Sequence, residues 1–253
     1  MARYTPDSCA EIEDIIRDAL QEKTPLKITG FGTKSSLGGA VQAEDELSLS
    51  AHSGITDYQP EELVLVAKSG TPLLEIEETL AQKGQMLAFE PPHLAQFYRA
   101  EHPGSIGGMI ACNLSGPRRI SAGAARDYLL GFDAISGRAG YFRSGSKVMK
   151  NVTGYDLSKL MCGSFGMLAV MSEITLKVLP RPEYATSLSI NCQSLKRRNQ
   201  CLVLDLVRQP NHLAGRLLKQ QTDFGLPCAW KGCRYRLRTG LTHYPIYSQQ
   251  EVR

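Results

Sequence analysis

Two stretches of this chain carry residue types whose spacing suits a phosphate-bearing anion. Residues 103–127, PGSIGGMIACNLSGPRRISAGAARD, hold glycines at 104, 107, 108, 116 and 123, with Arg118, Arg119 and Arg126 in the same window. Small residues let the backbone approach a ligand closely, and amides gathered at a turn or helix start can surround a phosphate. Ser105, Gly107 and Gly108 are the candidate cradle, with a helix beginning behind them at 109–112, and the arginines add fixed positive charge. The alternative is a glycine-rich turn between core elements. The glycine order fits neither GxGxxG nor the Walker pattern, which sets aside the usual dinucleotide and P-loop sites.

The second stretch is PLKITGFGTKSSLGG, in which a short strand over 26–29 runs straight into a glycine- and hydroxyl-rich loop at 30–39. Backbone amides with Thr33, Ser35 and Ser36 are candidate donors there, and the competing reading is a flexible surface loop. A third stretch, KNVTGYD at 150–156, reads as a turn into a helix over 157–162, capped by Asp156 and stopped by Gly163.

The elements that must position these loops follow from periodicity and caps. Ser8 and Glu11 form a capping box that opens a helix with Ile12, Ile15, Ile16, Ala19 and Leu20 on one face. Apolar runs predict strands at 47–50, 63–68 and 85–90, the last closed by Pro91-Pro92. Thr71-Pro72 predicts the start of a helix ended by Gly84, with Glu75, Glu77 and Glu78 on a solvated face. A strand over 128–135 turns at Ser136-Gly137 and pairs with 141–143. Another over 168–178 places Ile174, Leu176 and Val178 on one face and Glu173, Thr175 and Lys177 on the other. Pro180 and Pro182 then mark a boundary. Mixed strands and helices without strict alternation give an α+β class. His93 and His102 read as surface or hydrogen-bonding residues rather than catalytic ones.

Hydrophobic residues make up 42% and charged residues 21% of the 253 residues, as in a water-soluble globular protein. No apolar run approaches the ~20 residues needed to span a bilayer, and the acidic N-terminus lacks a signal-type apolar core. The seven cysteines at irregular spacing suggest no disulfide framework, so a cytoplasmic location is expected. Charge is uneven: residues 1–185 carry 18 Lys/Arg against 22 Asp/Glu, whereas residues 186–253 carry 11 against 3. That basic tail shows no sustained period. Cys228, Cys233 and His243 are too loosely spaced for a familiar zinc site, and no metal is expected. Trp230, Tyr235, Tyr244 and Tyr247 among basic residues form no recognisable nucleic-acid module, and no nucleic-acid partner is expected. A disrupted coding frame accounts best for the shift in composition and the lost periodicity together.

The three motifs in this order resemble the vanillyl-alcohol-oxidase-like, PCMH-type FAD-binding flavoproteins, and within them the FAD-binding subunits of glycolate oxidases. The resemblance covers residues 1–183 and leaves 184–253 as an atypical basic tail, read as a disrupted cap domain. It implies a two-subdomain α+β fold with FAD pyrophosphate between the subdomains and a truncated or atypical C-terminal region. On matching positions it implies FAD contacts at Gly30, Phe31, Gly32, Thr33, Lys34 and Ser35 in the first loop. The second segment adds Gly104, Ser105, Ile106, Gly107, Gly108, Asn113, Gly116 and Arg126. The third motif, matched at Lys150, Asn151, Gly154, Tyr155 and Asp156, adds Asn151 and Gly154, and the following strand adds Ile174. Many relatives attach FAD through His or Cys; the first loop has neither, so non-covalent FAD is implied. The resemblance further implies a 2-hydroxy-acid substrate, a related flavoprotein subunit, an iron–sulfur subunit, and at most peripheral contact with the inner face of the membrane. It names no catalytic residue. Rival expectations are a D-lactate-dehydrogenase-like oxidase or an enolpyruvyl-sugar reductase on the same scaffold, or a non-catalytic or defective subunit.

Overall fold

The computed structural model describes residues 2–39, 41–94, 102, 104–145, 155–191 and 234–241, with backbone alone for 184–191 and 234–241. In chain order the elements are β1 (Arg3–Tyr4), α1 (Cys9–Glu22), β2 (Leu26–Thr29), β3 (Asp45–Ser48), β4 (Ile55–Gln59), β5 (Val64–Lys68) and α2 (Leu73–Gln82). They continue with β6 (Gln85–Met86), α3 (Ile106–Ala111), α4 (Arg119–Ala122), a 3-10 turn (Ala125–Asp127), β7 (Leu129–Ser136) and β8 (Tyr141–Gly145). Last come α5 (Leu157–Met161), β9 (Ala169–Lys177), β10 (Leu179–Pro180), β11 (Tyr184–Asn191) and β12 (Arg234–Leu241).

The apolar run of β5 is the spine of a five-stranded antiparallel sheet, ordered β4-β5-β9-β7-β8. Its register sets Leu65 opposite Leu176 and Ala67 opposite Ile174, which in turn faces Phe132. All five side chains are buried. Onto this face α2 lays Leu73, Ile76 and Leu80, and α3 lays Ile106, Met109 and Ile110, each fully buried. Burying a side chain of this size contributes roughly 1.5–3 kcal/mol, so this face is a large share of what holds the domain together.

A separate three-stranded parallel sheet, β1-β3-β2, packs with α1 around its own small core of Ile12, Ile16, Leu47 and Leu49, joined by Ile135 and Val170. Helix α1 begins as its sequence requires: the Ser8 hydroxyl accepts from the Glu11 amide at 3.3 Å. The reciprocal bond goes to the amide of Asp7 rather than Ser8. Leu20, expected on the inner face, is 52% exposed. Two cores around two sheets are the α+β, two-subdomain arrangement.

Several local expectations change. Thr71 does not cap α2; its hydroxyl accepts from the Gly54 amide at 2.9 Å and donates to the Lys68 carbonyl at 2.6 Å, tying the β5–α2 turn to the entry of β4. Glu77 is not solvated but meets His93 Nε2 at 2.9 Å. The strand expected at 85–90 shortens to two residues, because residues 87–90 form a turn in which the Glu90 amide donates to the Leu87 carbonyl at 3.1 Å and Glu90 has φ 48°. The helix expected from 109 starts at Ile106. Strand β4 has no counterpart in the sequence expectations, since ITDYQ is polar and only half-buried.

Met1–Pro180 and Arg181–Arg253 separate into two units. In the second unit β11 pairs antiparallel with β12, from Tyr184 opposite Leu241 to Asn191 opposite Arg234. The RYRLRTGL segment, taken above as lacking a period, is therefore a strand. Cys228, Cys233, Trp230, His243, Tyr244 and Tyr247 lie outside the described residues, as do Asn151 and Gly154.

A cavity between two glycine loops

Strand β2 emerges between β3 and solvent and releases the chain into the loop at 30–39. The second glycine segment meets it there. A Cβ placed on Gly30 would strike the Ser105 hydroxyl. One placed on Gly104, which has φ +100°, would lie 2.7 Å from Lys34 Nζ and 2.8 Å from Thr33 Oγ1. The two loops thus touch through glycine at both ends. Thr33 and Ser105 are buried between them.

The second segment is held by hydrogen bonds to the turn that follows β5. The Gly107 amide donates to the Ser69 carbonyl at 2.8 Å, the Ile106 amide to the Thr71 carbonyl at 3.0 Å, and Leu73 donates back to the Gly104 carbonyl at 3.0 Å. The Gly108 amide is used by the Ser105 hydroxyl, which caps α3. The amides expected to form a phosphate cradle at Gly107 and Gly108 are therefore engaged within the protein. In the first loop the situation is opposite. Among the described residues, the amides of Phe31, Gly32, Thr33 and Lys34 have no hydrogen-bond partner, while Ser35 and Leu37 bond back to Gly32 and Lys34.

Beside these loops opens a cavity of about 690 Å³, within the usual range for small-molecule sites. Gly30, Phe31, Gly32, Thr33, Lys34, Ser35, Ser105, Gly107 and Gly108 line it. Its apolar walls come from Leu26 and Ile28 of β2, Leu37 and Val41 of the loop, and Phe165 and Met167 before β9. Phe31 also stacks on the His102 ring with centroids 4.7 Å apart.

Lys34 sits at the polar end. Its Nζ is 3.3 Å from Thr33 Oγ1 and, among the described residues, within ion-pair reach of no carboxylate. Burial pushes its pKa down, partly offset by the neighbouring Cys112 thiol. Burial pushes that thiol up.

Other expected residues lie elsewhere. Ile106 and Ile174 are fully buried in the main core. Asn113 does not face the cavity; its Oδ1 accepts from the Arg126 amide at 3.2 Å and from the Cys162 thiol at 3.5 Å. Gly116 donates its amide to Phe89. Arg126 lies 3.8 Å from Asp127 and Arg118 3.8 Å from Glu90, and neither is among the residues that line the cavity. Gly104 touches Lys34 from behind rather than lining the space. Conversely, Ser69, Ala111, Cys112, Phe165, Gly166 and Met171 line it without having been singled out. Only the SFG turn at 164–166, with positive φ at Phe165 and Gly166, left a trace in the sequence.

A lysine without an ion pair and loop amides without partners among the described residues, beside apolar walls, suit a flavin dinucleotide. The chain belongs to the family described as "FAD binding domain", whose profile matches residues 2–144, and FAD is the family's cofactor. It is 47% identical over 188 residues to "Glycolate oxidase subunit GlcE" of Escherichia coli, covering 74% of this chain and 51% of that protein. It is 30% identical over 243 residues to "Glycolate oxidase subunit GlcD" of Bacillus subtilis, covering 91% and 49%. A "D-lactate dehydrogenase" of Archaeoglobus fulgidus is 30% identical over 204 residues, covering 78% and 43%. The chain thus spans about half the length of the curated relatives it matches. A solved structure of alkyldihydroxyacetonephosphate synthase superposes with a TM-score of 0.65 at 17% identity, over 82% of this chain and 37% of the other, which supports the fold alone.

Proposed function

We propose that this chain is the FAD-binding subunit of a glycolate (2-hydroxy-acid) oxidase complex and holds FAD without a covalent bond. The observation that carries the proposal is the cavity, where a lysine and loop amides that have no ion-pair or hydrogen-bonded backbone partner among the described residues adjoin apolar walls. Similarity to GlcE supplies the kind of complex.

FAD, when bound, supplies the acceptor for the hydride equivalent leaving the hydroxyl-bearing carbon. The residues of this chain hold and orient it. The amides of residues 31–34 and the Lys34 ammonium bind the charged end, and Leu26, Ile28 and Phe165 keep water from the apolar end. Asn151 and Gly154 are assigned to the same cofactor from the third motif. The described lining has no carboxylate and no imidazole, so nothing there takes the hydroxyl proton. We assign that base to the related flavoprotein subunit of the complex and onward electron transfer to an iron–sulfur subunit. Among the described residues no helix is long and apolar enough to cross a membrane. The protein is proposed to be cytoplasmic, with at most peripheral contact at the inner membrane face and no nucleic-acid partner.

The test is the absorbance spectrum of the purified chain before and after added FAD, and after acid precipitation. Flavin in the acid supernatant supports non-covalent FAD. Flavin in the pellet refutes it and points to Cys112, which lines the cavity. No flavin at all removes the basis of the proposal. The second reading, a D-lactate-oxidising enzyme, is favoured by the A. fulgidus relative; turnover of D-lactate but not glycolate by the reconstituted complex selects it.

Residues 1–183 form the FAD-binding domain in this proposal, and 184–253 the remnant of a cap domain whose coding frame is disrupted. The match to GlcD covers 91% of the chain and so enters the tail, which favours a genuine cap segment instead. Translation of the other two frames of the coding DNA separates the two. If neither frame restores helix or strand periodicity beyond residue 184, the disrupted-frame reading fails.

A further inference from the structure

We propose that Cys9 and His52 form a thiol–imidazole pair that makes Cys9 a site of exchange with a low-molecular-weight disulfide. The pair lies outside the flavin cavity, whose lining includes neither residue.

Cys9 opens α1 and is exposed, whereas Cys112 is half-buried and Cys162 buried. Facing it is His52, only 3% exposed, whose Nε2 lies 3.9 Å from Cys9 Sγ. The other ring nitrogen settles the tautomer. Nδ1 is 2.7 Å from the Asp7 carbonyl oxygen, which can only accept, so Nδ1 carries the proton. In the neutral ring Nε2 then keeps its lone pair, and among the described residues the Cys9 thiol is its one hydrogen-bond partner. Backbone bonds hold this residue in place: the His52 amide donates to the Leu49 carbonyl at 3.1 Å, and the His52 carbonyl accepts from the Gly70 amide at 2.9 Å. A buried nitrogen with an open lone pair, aimed at an exposed thiol and oriented by a third group, is the arrangement that activates a cysteine. The separation is long for a bond to sulfur, and such pairs tighten when the reaction partner arrives.

Helix polarity is the weaker influence here. The N-terminus of α1 favours negative charge on Cys9. Asp7 and Glu11, acidic residues of the same helix entry, oppose it, and the Glu11 carboxylate turns back to accept from the Asp7 amide at 3.1 Å. The imidazole is therefore the activating group.

In the reaction His52 Nε2 takes the thiol proton as Cys9 Sγ attacks one sulfur of the disulfide. A new S–S bond forms between Cys9 and that sulfur, the original S–S bond breaks, and the departing thiolate takes the proton from Nε2. Cys9 is oxidised to a mixed disulfide, and the other half of the small disulfide is reduced to a thiol.

The test uses the full chain, fully reduced, with hydroxyethyl disulfide at neutral pH. This probe is uncharged, so the nearby carboxylates do not bear on its approach. Mass spectrometry of the Cys9-containing peptide counts the adduct at this thiol alone. Cys9 in the folded chain is expected to react at least about 10-fold faster than in the same chain unfolded by urea. His52→Asn keeps an amide N–H for the Asp7 carbonyl and removes the base, and is expected to slow the folded chain by about 10-fold or more. At about pH 10 a thiol ionises without a base, so the gap between wild type and variant closes. Equal rates for wild type and a folded His52→Asn chain at neutral pH overturn the proposal. A gap undiminished at the higher pH also overturns it, because it marks a distorted helix entry. Should His52→Asn not fold, the wild-type comparison decides: a folded-chain rate no higher than the rate in urea refutes the pairing.

Discussion

The close approach of Gly107 to the turn after β5 predicts that Gly107→Ala damages the fold before it damages ligand binding. A Cβ at 107 would stand 2.6 Å from Ser69 Cβ and 2.7 Å from the Ser69 carbonyl oxygen. Both partners are fixed: Ser69 is buried, and its hydroxyl donates to the Met171 carbonyl at 2.6 Å. Relief requires α3 to move off the sheet, which for a methyl group in a packed interior costs about 1–3 kcal/mol. Moving it also weakens the 2.8 Å bond from the Gly107 amide to Ser69, worth about 1 kcal/mol more. Alanine's better helix propensity returns at most about 1 kcal/mol. The net expectation is a loss of about 1–4 kcal/mol, or roughly 2–16 °C in melting temperature for a domain of this size. Thermal and urea melts of the flavin-free chain measure it. Gly137→Ala is the control, since nothing lies within 4 Å of its added Cβ, and it stays within about 0.5 kcal/mol of wild type. A Gly107→Ala chain as stable as wild type but unable to bind FAD would refute the packing role and restore the amide cradle.

Two further predictions concern titration. Lys34 has a folded pKa held below the ordinary 10.5 by burial, and a diphosphate bound beside it, as proposed, favours the charged form and raises the pKa again. FAD affinity is therefore full below the flavin-free value and falls as pH rises through it towards 10.5, whereas Lys34→Met shows no such fall in FAD titrations run from neutral to alkaline pH. The Cys162 thiol is pushed by burial from 9.0 up to about 12. The unfolded chain releases this proton near 9 while the folded chain keeps it. Stability is thus lost as pH rises from about 9, by at most about 1.4 kcal/mol per unit and at most about 4 kcal/mol in all by pH 12. Urea melts across this range should show Cys162→Ala with a shallower alkaline decline by that amount; parallel declines would refute the buried-thiol account.

What could be read from the sequence was whatever depends on near neighbours. Strand β2 ends at Thr29 as expected, because a four-residue apolar alternation running into GFG leaves little choice. Helix α1 starts at its Ser8 cap, and β9 buries Ile174, Leu176 and Val178 as the period-2 pattern requires. The same pattern places the side chain of Ile174. Ile174 lies on the core face of β9, opposite Ala67 and Phe132, so its side chain belongs to packing even though Val170 and Met171 of that strand reach the cavity. Asn113 has a comparable history. It carries φ 49°, a conformation asparagine tolerates, and it serves as a local tie between the Arg126 amide and the Cys162 thiol.

The division of labour between the two glycine loops was not legible, because it is decided by residues far apart in sequence. GFGTKSS and GSIGG look equally suited to a phosphate when each is read alone. The difference lies in Ser69 and Thr71, whose carbonyls take the amides of Gly107 and Ile106 from 38 and 35 residues away, whereas the amides of residues 31–34 have no partner among the described residues. Glycine is therefore required in both loops for different physical reasons. In the first, small residues leave amides exposed to the cavity. In the second, they let α3 lie against the turn after β5 and let Lys34 pass over residues 104 and 108. If Lys34 binds the anion as proposed, a cation carried by one loop and packed against the other ties that binding to the packing of α3 on the five-stranded sheet. Substitutions at Gly107 should then weaken FAD only in proportion to the stability they remove, and substitutions at Lys34 should weaken FAD without moving the melt.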